Sequence, residues 1–555
     1  MFKNLLAFLF FFSFSVFVQA QNRYIAEIGN DTIGNDCTLP GNPCASISYA
    51  VSQAQDFDTI MVSSGNYAFA GTQLINKPVV VFGYDSIKPI ISVVGQDVIQ
   101  VSSDSVTINN LYIKMGLTGN SGLRGVVANG NYNGLTIENC DFISIKPIGF
   151  GMVFSAYAIL AYGGNGQSIN IINNTIQPLD SIYDSFGRGI GLGLNAANSY
   201  GPGATVDGNT VRAYYPIQAI NNTNNVLANN NLFTGYLHVV YPIGTVTVDF
   251  TNNTFDAYND AIAENLIALL ELRGFKTASA VVENNNFINY KNIGLFSSAS
   301  RNILVKGNTF TPSPIANSFV SIMANTKLMT NGVQTSNYSN QIEIKGNTFN
   351  AGVDSTGKAI VFGDHYGAYT PAFDTIMIGG FDATDKNIFD TQLEYFIALD
   401  TLSGPSNSQS FWGGYSVTNM VPFAQSVYAL ANQNEYTYTD TTELENKMLD
   451  SLDFSGVGKV ILFDSLIVVK TPIADLLSVS VYPNPTQSNI TIANNQFKGL
   501  YTMDIYDING KLVKRKNQTI DGSNINISVS ELSSGKYLLI MHNNKQVYKG
   551  SFIKN

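Results

Sequence analysis

Short segments in which apolar and polar residues alternate recur along most of the chain. Val246–Phe250 and Ile342–Ile344 are examples, and turn residues separate such segments from one another. Their two-residue period is typical of β-strands with one buried face, not of helices. The pattern therefore predicts an all-β fold.

A triplet of Asn, any residue and an apolar residue follows these strands repeatedly. With Cys once in place of Asn, the triplets begin at Asn110, Cys140, Asn174, Asn209, Asn231, Asn253, Asn285, Asn308, Asn347 and Asn387. Successive triplets are never fewer than 22 residues apart and up to 40 apart. A shortest spacing with variable additions is typical of solenoid coils that carry insertions.

One such coil cannot bury both of its faces, so successive coils must stack as parallel strands about 4.8 Å apart. At the bend, Asn tolerates a left-handed backbone and can bond the same amide in the next coil. The apolar residue two positions later would fill the interior. We therefore predict a rod-shaped parallel β-solenoid over residues 21–470.

This arrangement resembles the right-handed parallel β-helix of the pectin-lyase-like superfamily over roughly residues 35 to 470. The handedness is implied by the resemblance and not by the spacing. A short helix covers the first coil in many such proteins, and its buried face here would comprise Ile47, Ala50, Val51 and Ala54. The region around Trp412, a helix near 443–452 and the segment 458–463 resemble the closing cap.

The first twenty residues are predicted to be a secretory signal peptide. Lys3 supplies the positive end, residues 5–18 are almost entirely apolar, and Val18-Gln19-Ala20 provides a cleavage pattern of small residues. The apolar run is short for a membrane span. We expect no transmembrane segment in the mature protein.

Secretion places the mature chain where disulfides persist. Cys37 and Cys44 enclose a short loop of turn residues, and we expect them to form a disulfide. Cys140 stands at a position where other coils carry Asn, and we interpret it as a small buried residue, not a nucleophile.

The character of the chain changes after Pro472. We predict a linker over 471–480 and a small immunoglobulin-like β-sandwich over 481–555. Its order of elements resembles the type IX secretion system C-terminal sorting domain of type A, through Tyr482, Pro483, Asn484, Pro485, Gly510, Gly535 and Tyr537. The resemblance implies recognition by the secretion machinery and a secreted or outer-membrane surface-attached product. The alternative is an ordinary adhesive β-sandwich.

Charge and composition exclude several functions. The net charge of −10 argues against a nucleic-acid partner, because phosphate binding needs a concentrated basic surface. Three His and three Cys leave few nitrogen and sulfur ligands for a metal centre. No metal or cofactor is predicted, and a calcium requirement cannot be read from the sequence.

Aligning the coils through their triplets brings four tyrosines into one column, Tyr214, Tyr236, Tyr258 and Tyr290. In the same alignment His238 and Asp260 fall at one position on neighbouring coils. One interpretation is a sugar-binding groove with stacking tyrosines and a His base. The other, which we favour, is a structural aromatic ladder with a single His–Asp pair.

Further candidates lie near this column. Arg212 and Asp256 each precede a tyrosine of the column by two residues, and Glu271-Leu272-Arg273 and Asp364-His365-Tyr366 combine acids and bases within short segments. None of these segments alone specifies a reaction.

The resemblance also implies signatures that this chain lacks. Pectate lyases show clustered Asp with an Arg or Lys base, polygalacturonases show paired Asp residues, and no Asp-Asp pair occurs here. Hydrolysis of glycosides requires two carboxyl groups at a defined separation. Two hypotheses remain: a non-catalytic glycan-binding or adhesive surface protein, which we prefer, and a polysaccharide lyase or glycoside hydrolase acting near His238 and Asp260.

Triplets of Asp, Ser or Thr and an aliphatic residue recur along the chain. By resemblance to other proteins that use type IX secretion, Thr32, Ser86, Ser181, Thr401 and Ser465 are candidate O-glycosylation sites. The structural alternative is that Asp caps a turn and the hydroxyl residue begins a strand.

Overall fold

The computed structural model describes residues 20–118, 122–145, 153–163, 168–177, 186–194, 200–235, 237–240, 246–257, 268–273, 278–298, 300, 302–314, 316, 319–325, 327–330, 333–337, 341–352, 357–363, 375–378, 387–390, 393, 395–399, 428–429, 461–462, 477–492, 497–507, 512–522, 524–543 and 547–555. The predicted signal peptide before residue 20, Trp412 and the helix near 443–452 lie outside this range.

Three long parallel sheets form the solenoid. After β1, an additional first strand of sheet A, each coil contributes one strand to each sheet in the order A, B, C. Strands are numbered in chain order. Sheet A comprises β1 (Asn22–Ile25), β2 (Thr59–Val62), β5 (Val80–Gly83), β8 (Thr107–Asn109), β11 (Thr136–Glu138), β14 (Ser168–Ile172), β17 (Gly203–Asp207), β20 (Val226–Asn229), β23 (Thr247–Thr251), β26 (Ser279–Glu283), β29 (Ile303–Lys306), β34 (Gln341–Lys345) and β37 (Thr375–Ile378).

Sheet B comprises β3 (Asn66–Phe69), β6 (Ile90–Val94), β9 (Tyr112–Gly116), β12 (Asp141–Ile145), β15 (Thr175–Ile176), β18 (Thr210–Arg212), β21 (Leu232–Thr234), β24 (Thr254–Asp256), β27 (Asn286–Tyr290), β30 (Thr309–Pro312), β35 (Thr348–Phe349) and β38 (Ile388–Phe389). Sheet C comprises β4 (Gln73–Ile75), β7 (Ile99–Val101), β10 (Arg124–Asn129), β13 (Val153–Tyr162), β16 (Phe186–Leu192), β19 (Tyr215–Ile220), β22 (Leu237–Val240), β25 (Ala268–Arg273), β28 (Ile293–Ser298), β31 (Phe319–Asn325), β36 (Gly357–Gly363) and β39 (Tyr395–Leu399). The predicted parallel β-solenoid is confirmed.

Four further strands, in two pairs, lie outside these sheets. β32 (Lys327–Thr330) and β33 (Val333–Asn337) form an antiparallel hairpin. β40 (Tyr428–Ala429) and β41 (Ile461–Leu462) pair in parallel.

A ladder of buried asparagines follows the bend between sheets A and B. Asn231 shows the repeated pattern: its Nδ2 donates to Asn253 Oδ1 at 2.9 Å and to the carbonyl of Val206 at 2.8 Å. The same amide-to-amide bond links Asn174, Asn209, Asn231, Asn253, Asn285, Asn308, Asn347 and Asn387. The predicted ladder is therefore confirmed.

The structure corrects one detail of the bend. The left-handed conformation belongs to the residue before the ladder position, as in Asn252 with φ of 58° ahead of Asn253. Asn110, with φ of 58°, is such a residue, and strand pairing aligns Asp141 with Tyr112. Leu111 therefore occupies the position of Cys140, and the triplet predicted at Asn110 is displaced by one residue.

The apolar residues of the triplets stack inside the solenoid as predicted. Phe255, Phe287 and Phe310 follow one another with ring centroids 4.7 and 4.6 Å apart, and Phe349 and Phe389 continue the stack. Their offset stacking favours one fixed register between neighbouring coils.

A short helix and a disulfide-bonded loop close the first coil. The helix α1 (Ile47–Gln53) buries Ile47, Ala50 and Val51, and Ser46 caps it by accepting a hydrogen bond from the amide of Tyr49. Its predicted buried face is confirmed. Cys37 and Cys44 are bonded with Cα atoms 5.3 Å apart.

The disulfide loop covers the outer edge of β1. The amide of Tyr24 donates to the carbonyl of Cys37 at 2.7 Å, and the amide of Cys44 donates back to Tyr24 at 2.8 Å. Beneath this loop Arg23 Nε lies 2.8 Å from Asp58 Oδ2, and both side chains are buried. A sheet edge closed in this way cannot pair with another chain.

The C-terminal unit packs a five-stranded sheet against a three-stranded one around its own core. The first sheet contains β42 (Leu477–Ser478), β49 (Val547–Lys554), β48 (Gly535–His542), β45 (Lys498–Tyr506) and β46 (Leu512–Asp521), and the second contains β43 (Val481–Tyr482), β44 (Asn489–Ile492) and β47 (Ile525–Ser528). This is the expected small β-sandwich.

The unit begins earlier than predicted. Leu477 and Ser478 pair with β49, and Val479 is buried in the core of the unit. The residues predicted as the end of a linker over 471–480 are therefore part of the fold, because they cover an edge of the sheet.

Candidate functional site on the outer face of sheet C

The alignment behind the predicted tyrosine column is correct for sheet B. Val211, Phe233, Phe255 and Phe287 face one another across four successive strands. Tyr236 and Tyr258 lie outside the described residues. Of the four tyrosines in the predicted column, the structure describes Tyr214 and Tyr290.

Tyr290 presents almost no exposed surface to a ligand in this structure. It is 1% exposed, and its hydroxyl lies 2.7 Å from Ser321 Oγ inside the solenoid. Burial raises its pKa, so the phenol remains neutral. Tyr214 is half-buried and packs edge-on against Tyr215, with ring centroids 4.8 Å apart.

The predicted alignment of His238 with Asp260 on neighbouring coils is wrong, because Glu271 occupies that position; a contact between His238 and Asp260 stays a prediction. His238 on β22 pairs with Gln218 of the preceding coil and Glu271 of the following one. The alignment without gaps failed because residues 257–267 separate β24 from β25, whereas only 235 and 236 separate β21 from β22. Asp260 and Asp364-His365-Tyr366 lie outside the described residues.

The other short acid–base segment, around Glu271, holds a buried ion pair. Leu270 and Leu272 belong to the interior core, so Glu271 and Arg273 project to the opposite, outer face of sheet C. Arg273 Nε donates to Glu271 Oε1, and Glu271 is fully buried. Burial raises the pKa of Glu271, and the positive charge of Arg273 opposes that shift.

Arginine and tyrosine alternate along a second row on sheet C. In strand pairing Arg124 faces Tyr157, Tyr157 faces Arg188, and Arg188 faces Tyr215. The Arg188 guanidinium carbon lies 4.9 Å from the ring centroid of Tyr157 and 5.8 Å from that of Tyr215. Both are cation–π distances, so the faces of the two rings attract the positive charge of Arg188, which lies between them.

Hydrogen bonds and a glycine fix this row. Arg188 Nη1 donates to Tyr157 Oη at 2.5 Å, and the backbone amide of Arg124 donates to Asp97 Oδ1 at 2.8 Å. A Cβ on Gly191 would lie 2.5 Å from the ring of Tyr157. Glycine at this position therefore leaves the space that the ring occupies.

Burial sets the ionisation of the tyrosines. It raises the pKa of Tyr157, although Arg188 and Arg124 pull that pKa down. It also raises the pKa of Tyr215, with a contribution from Tyr214. Both phenols are therefore neutral hydrogen-bonding groups at physiological pH.

The site is apolar on its other side. Phe296, Met323 and Val361 follow Glu271 along the same row of sheet C, and they form a buried cluster with Tyr215 outside the solenoid interior. Sheet C thus carries a cationic and aromatic half, from β10 to β19, beside an apolar half, from β28 to β36. The cationic and aromatic half was not predicted from the sequence, because its residues lie about 30 positions apart and form no short motif.

Other predicted residues stay apart from this site. Arg212 and Asp256 lie on sheet B with Thr234 between them, and Asp256 accepts a hydrogen bond from Asn289 Nδ2 at 2.9 Å. Cys140 is fully buried, and burial raises its pKa to about 12. Within the described residues, no group of three or more His, Cys, Asp or Glu is placed to hold a metal ion.

The aspartates of the described Asp-Ser/Thr triplets accept hydrogen bonds near turns. Asp31 accepts from Ser46 Oγ at 2.6 Å, Asp85 from the amide of Ser64 at 2.6 Å, and Asp104 from the amide of Asn133 at 2.7 Å. These contacts agree with the structural interpretation. Ser181, Thr401 and Ser465 lie outside the described residues.

The predicted sorting residues take up distinct positions in the C-terminal unit. Tyr537 is buried, and its ring stacks on Phe552 with centroids 5.4 Å apart, while Gly535 begins β48. Tyr482 is 43% exposed. Gly510 lies outside the described residues.

Comparison with known proteins identifies this C-terminal unit. Residues 480–555 match the family model of the secretion system C-terminal sorting domain. No curated protein matches the chain. No helix within the described ranges combines the length and apolar character needed to cross a membrane.

Several solved structures are similar to the solenoid. An alginate lyase from Paenibacillus sp. str. FPU-7 is 14% identical, with 57% of this chain and 94% of that chain covered and a TM-score of 0.37. A rhamnogalacturonan lyase is 16% identical (61% and 84% covered, TM-score 0.31). The Streptococcus pneumoniae surface protein and adhesin PfbA is 10% identical (62% and 91% covered, TM-score 0.30).

These identities and TM-scores carry no argument about activity, since one fold hosts many functions. The sheet pairing and the family match are the findings that identify the chain. It is a secreted or cell-surface parallel β-helix protein with a type IX secretion system C-terminal sorting domain.

Proposed function

We propose that the solenoid binds an acidic extracellular glycan on the cationic half of the outer face of sheet C. The observation that carries the proposal is the row Arg124–Tyr157–Arg188–Tyr215, in which two arginines stand two strands apart. Two strand spacings place their backbones about 9.6 Å apart along the solenoid axis. A chain of acidic sugars lying along that axis could bond both arginines.

The arginines, rather than the tyrosines, would contact the ligand. Tyr157 is 3% exposed and Tyr215 8% exposed, so neither ring offers a face for sugar stacking. The side chain of Arg124 is 30% exposed, and Arg188 is half-buried. The tyrosines hold Arg188 in place, which lowers the entropy that binding must remove.

Charge supports an anionic ligand. Arg124 lies 3.5 Å from Asp97 Oδ2 and is partly neutralised. Among the described residues, no carboxylate lies within ion-pair distance of Arg188. A guanidinium that is not neutralised by a carboxylate can bind a carboxylate or sulfate group of a ligand through two parallel N–H donors.

The test is binding of the mature protein to acidic and neutral polysaccharides by isothermal titration calorimetry. Arg188→Ala should weaken binding to an acidic chain about tenfold or more, because a charge-assisted hydrogen bond contributes about 1.5–3 kcal/mol. Lys306→Ala is the matched control, since Lys306 is a half-exposed cation on sheet A. Equal affinities of the two variants would contradict this placement of the site, and no binding to any polysaccharide would contradict the function.

A polysaccharide lyase or glycoside hydrolase is the second candidate. Glu271 is the acidic residue that this candidate would use, because burial raises its pKa as general acid catalysis requires. Since Glu271 is fully buried, this candidate also requires the outer face of sheet C to open for the substrate. The test is release of unsaturated products or reducing ends by the wild type, with loss of turnover in Glu271→Gln. If the wild type releases neither product from acidic and neutral chains, the catalytic candidate fails.

A further inference from the structure

The segment Tyr482–Pro485 has a defined contact with the last strand of the chain. The side-chain amide of Asn484 bonds the backbone of β49 in both directions: its Oδ1 accepts from the amide of Ile553 at 2.8 Å, and its Nδ2 donates to the carbonyl of Ser551 at 3.2 Å. The side chain thus satisfies the donor and acceptor that a neighbouring strand would use.

Backbone contacts close the same edge of β49 on either side of Asn484. The amide of Val479 donates to the carbonyl of Lys549 at 2.8 Å. The amide of Thr486 donates to the carbonyl of Ile553 at 2.8 Å, and the amide of Asn555 donates to Thr486 at 2.8 Å. Asn484 therefore bonds the stretch between these two pairings.

The neighbouring prolines explain why a side chain makes this contact. Pro483 and Pro485 have no backbone N–H, so the main chain around Asn484 cannot continue a ladder with β49. The Asn484 amide replaces the missing backbone partners. Without it, β49 would expose unpaired polar groups at an edge and would open more readily.

We propose that Asn484 is a positioning residue of the sorting signal. It holds β49 in the sheet, and export by the secretion machinery depends on β49 being held there. The proposal rests on residues 480–555 acting as a sorting domain, and it is independent of glycan binding.

The test compares full-length variants expressed in a bacterium that has the type IX system. Asn484→Ala should raise the exchange rate of the Ile553 amide about fivefold, as expected for loss of one net hydrogen bond, and should reduce the secreted fraction. Asn484→Asp keeps the acceptor for Ile553 and loses the donor to Ser551, so both readouts should be intermediate. Asn489→Ala is the control, because within the described part of this unit Asn489 Nδ2 donates only to the neighbouring Ser488 Oγ, at 3.3 Å.

Two results would overturn the proposal. One is normal secretion of Asn484→Ala despite faster exchange in β49. The other is lost secretion with unchanged exchange, which would mean that the machinery contacts Asn484 directly. Exchange in β44 and β47 must match the wild type, and this comparison separates loosening of β49 from unfolding of the whole unit.

Discussion

Replacing one asparagine of the buried ladder tests whether the ladder stabilises the solenoid. The Asn253 side chain accepts hydrogen bonds from the amide and Nδ2 of Asn231 at 3.0 and 2.9 Å. It donates to the carbonyl of Ala228 at 2.9 Å and to Asn285 Oδ1 at 3.0 Å. Asn253 is 1% exposed, so water cannot replace these partners in the folded state.

The expected cost follows from these contacts. A buried hydrogen bond contributes about 1 kcal/mol net, so Asn253→Ala should destabilise the solenoid by about 4 kcal/mol. The control is the preceding residue, Asn252, which has φ of 58° and an exposed hydrogen bond. Asn252→Ala should cost about 1–2 kcal/mol because Ala disfavours the left-handed conformation, and Asn252→Gly should cost almost nothing.

The assay is urea unfolding of the mature protein, combined with hydrogen exchange of the coils that contain residues 231 and 285. Exchange is needed because a solenoid can unfold coil by coil, and a single transition would hide a local effect. If Asn253→Ala is no more destabilising than Asn252→Ala, the ladder is not a main source of stability and the reasoning is refuted.

Two further predictions concern the ladder's first position and the N-terminal cap. Cys140→Asn should raise the free energy of unfolding by about 1 kcal/mol, measured by urea unfolding. The new side-chain amide could donate a hydrogen bond to the carbonyl of Ile108, which lies 3.7 Å from Cys140 Sγ. A lower stability of the variant would contradict this prediction. Burial would raise the pKa of Asp58, but the amides of Gln21 and Gln55 and the Arg23 guanidinium outweigh it and hold that pKa below its ordinary value. Asp58 therefore stabilises the cap above about pH 4, and this contribution is lost as the pH falls through the folded-state pKa. The protection factors of the β1 amides, which are corrected for the intrinsic pH dependence of exchange, should fall on acidification in the wild type and depend less on pH in Asp58→Asn. Equal pH dependence of the two proteins would refute the assignment.

The ladder could be predicted because its signal is local. Asn, a residue of any type and an apolar residue occupy consecutive positions, and each has one physical role: amide bonding, outer face and interior stack. Even so, the sequence pattern did not distinguish the left-handed residue from the ladder residue, because Asn occurs at both, as in Asn252 and Asn253. That ambiguity shifted the triplet predicted at Asn110.

The row of Arg124, Tyr157, Arg188 and Tyr215 could not be predicted, because its residues are joined by connections of changing length. From β8 to β35, two residues separate each strand of sheet A from the next strand of sheet B, as 252 and 253 separate β23 from β24. Between sheets B and C the connection varies from 213–214 to 257–267. A register counted from the asparagine triplet is therefore correct on sheet B and wrong on sheet C.

The connections on both sides of sheet C vary in length, whereas those between sheets A and B do not from β8 to β35. Connections of varying length precede and follow sheet C, for example 257–267 before β25 and 193–202 after β16. Insertions are tolerated where they do not break the core, and binding residues concentrate where variable connections meet a rigid scaffold. The asparagine bend permits no such variation over these coils, since a longer bend would separate amides that must meet at about 3 Å. Sheet C is thus the face on which a solenoid with a fixed ladder can acquire a new ligand, and Arg188 lies on that face.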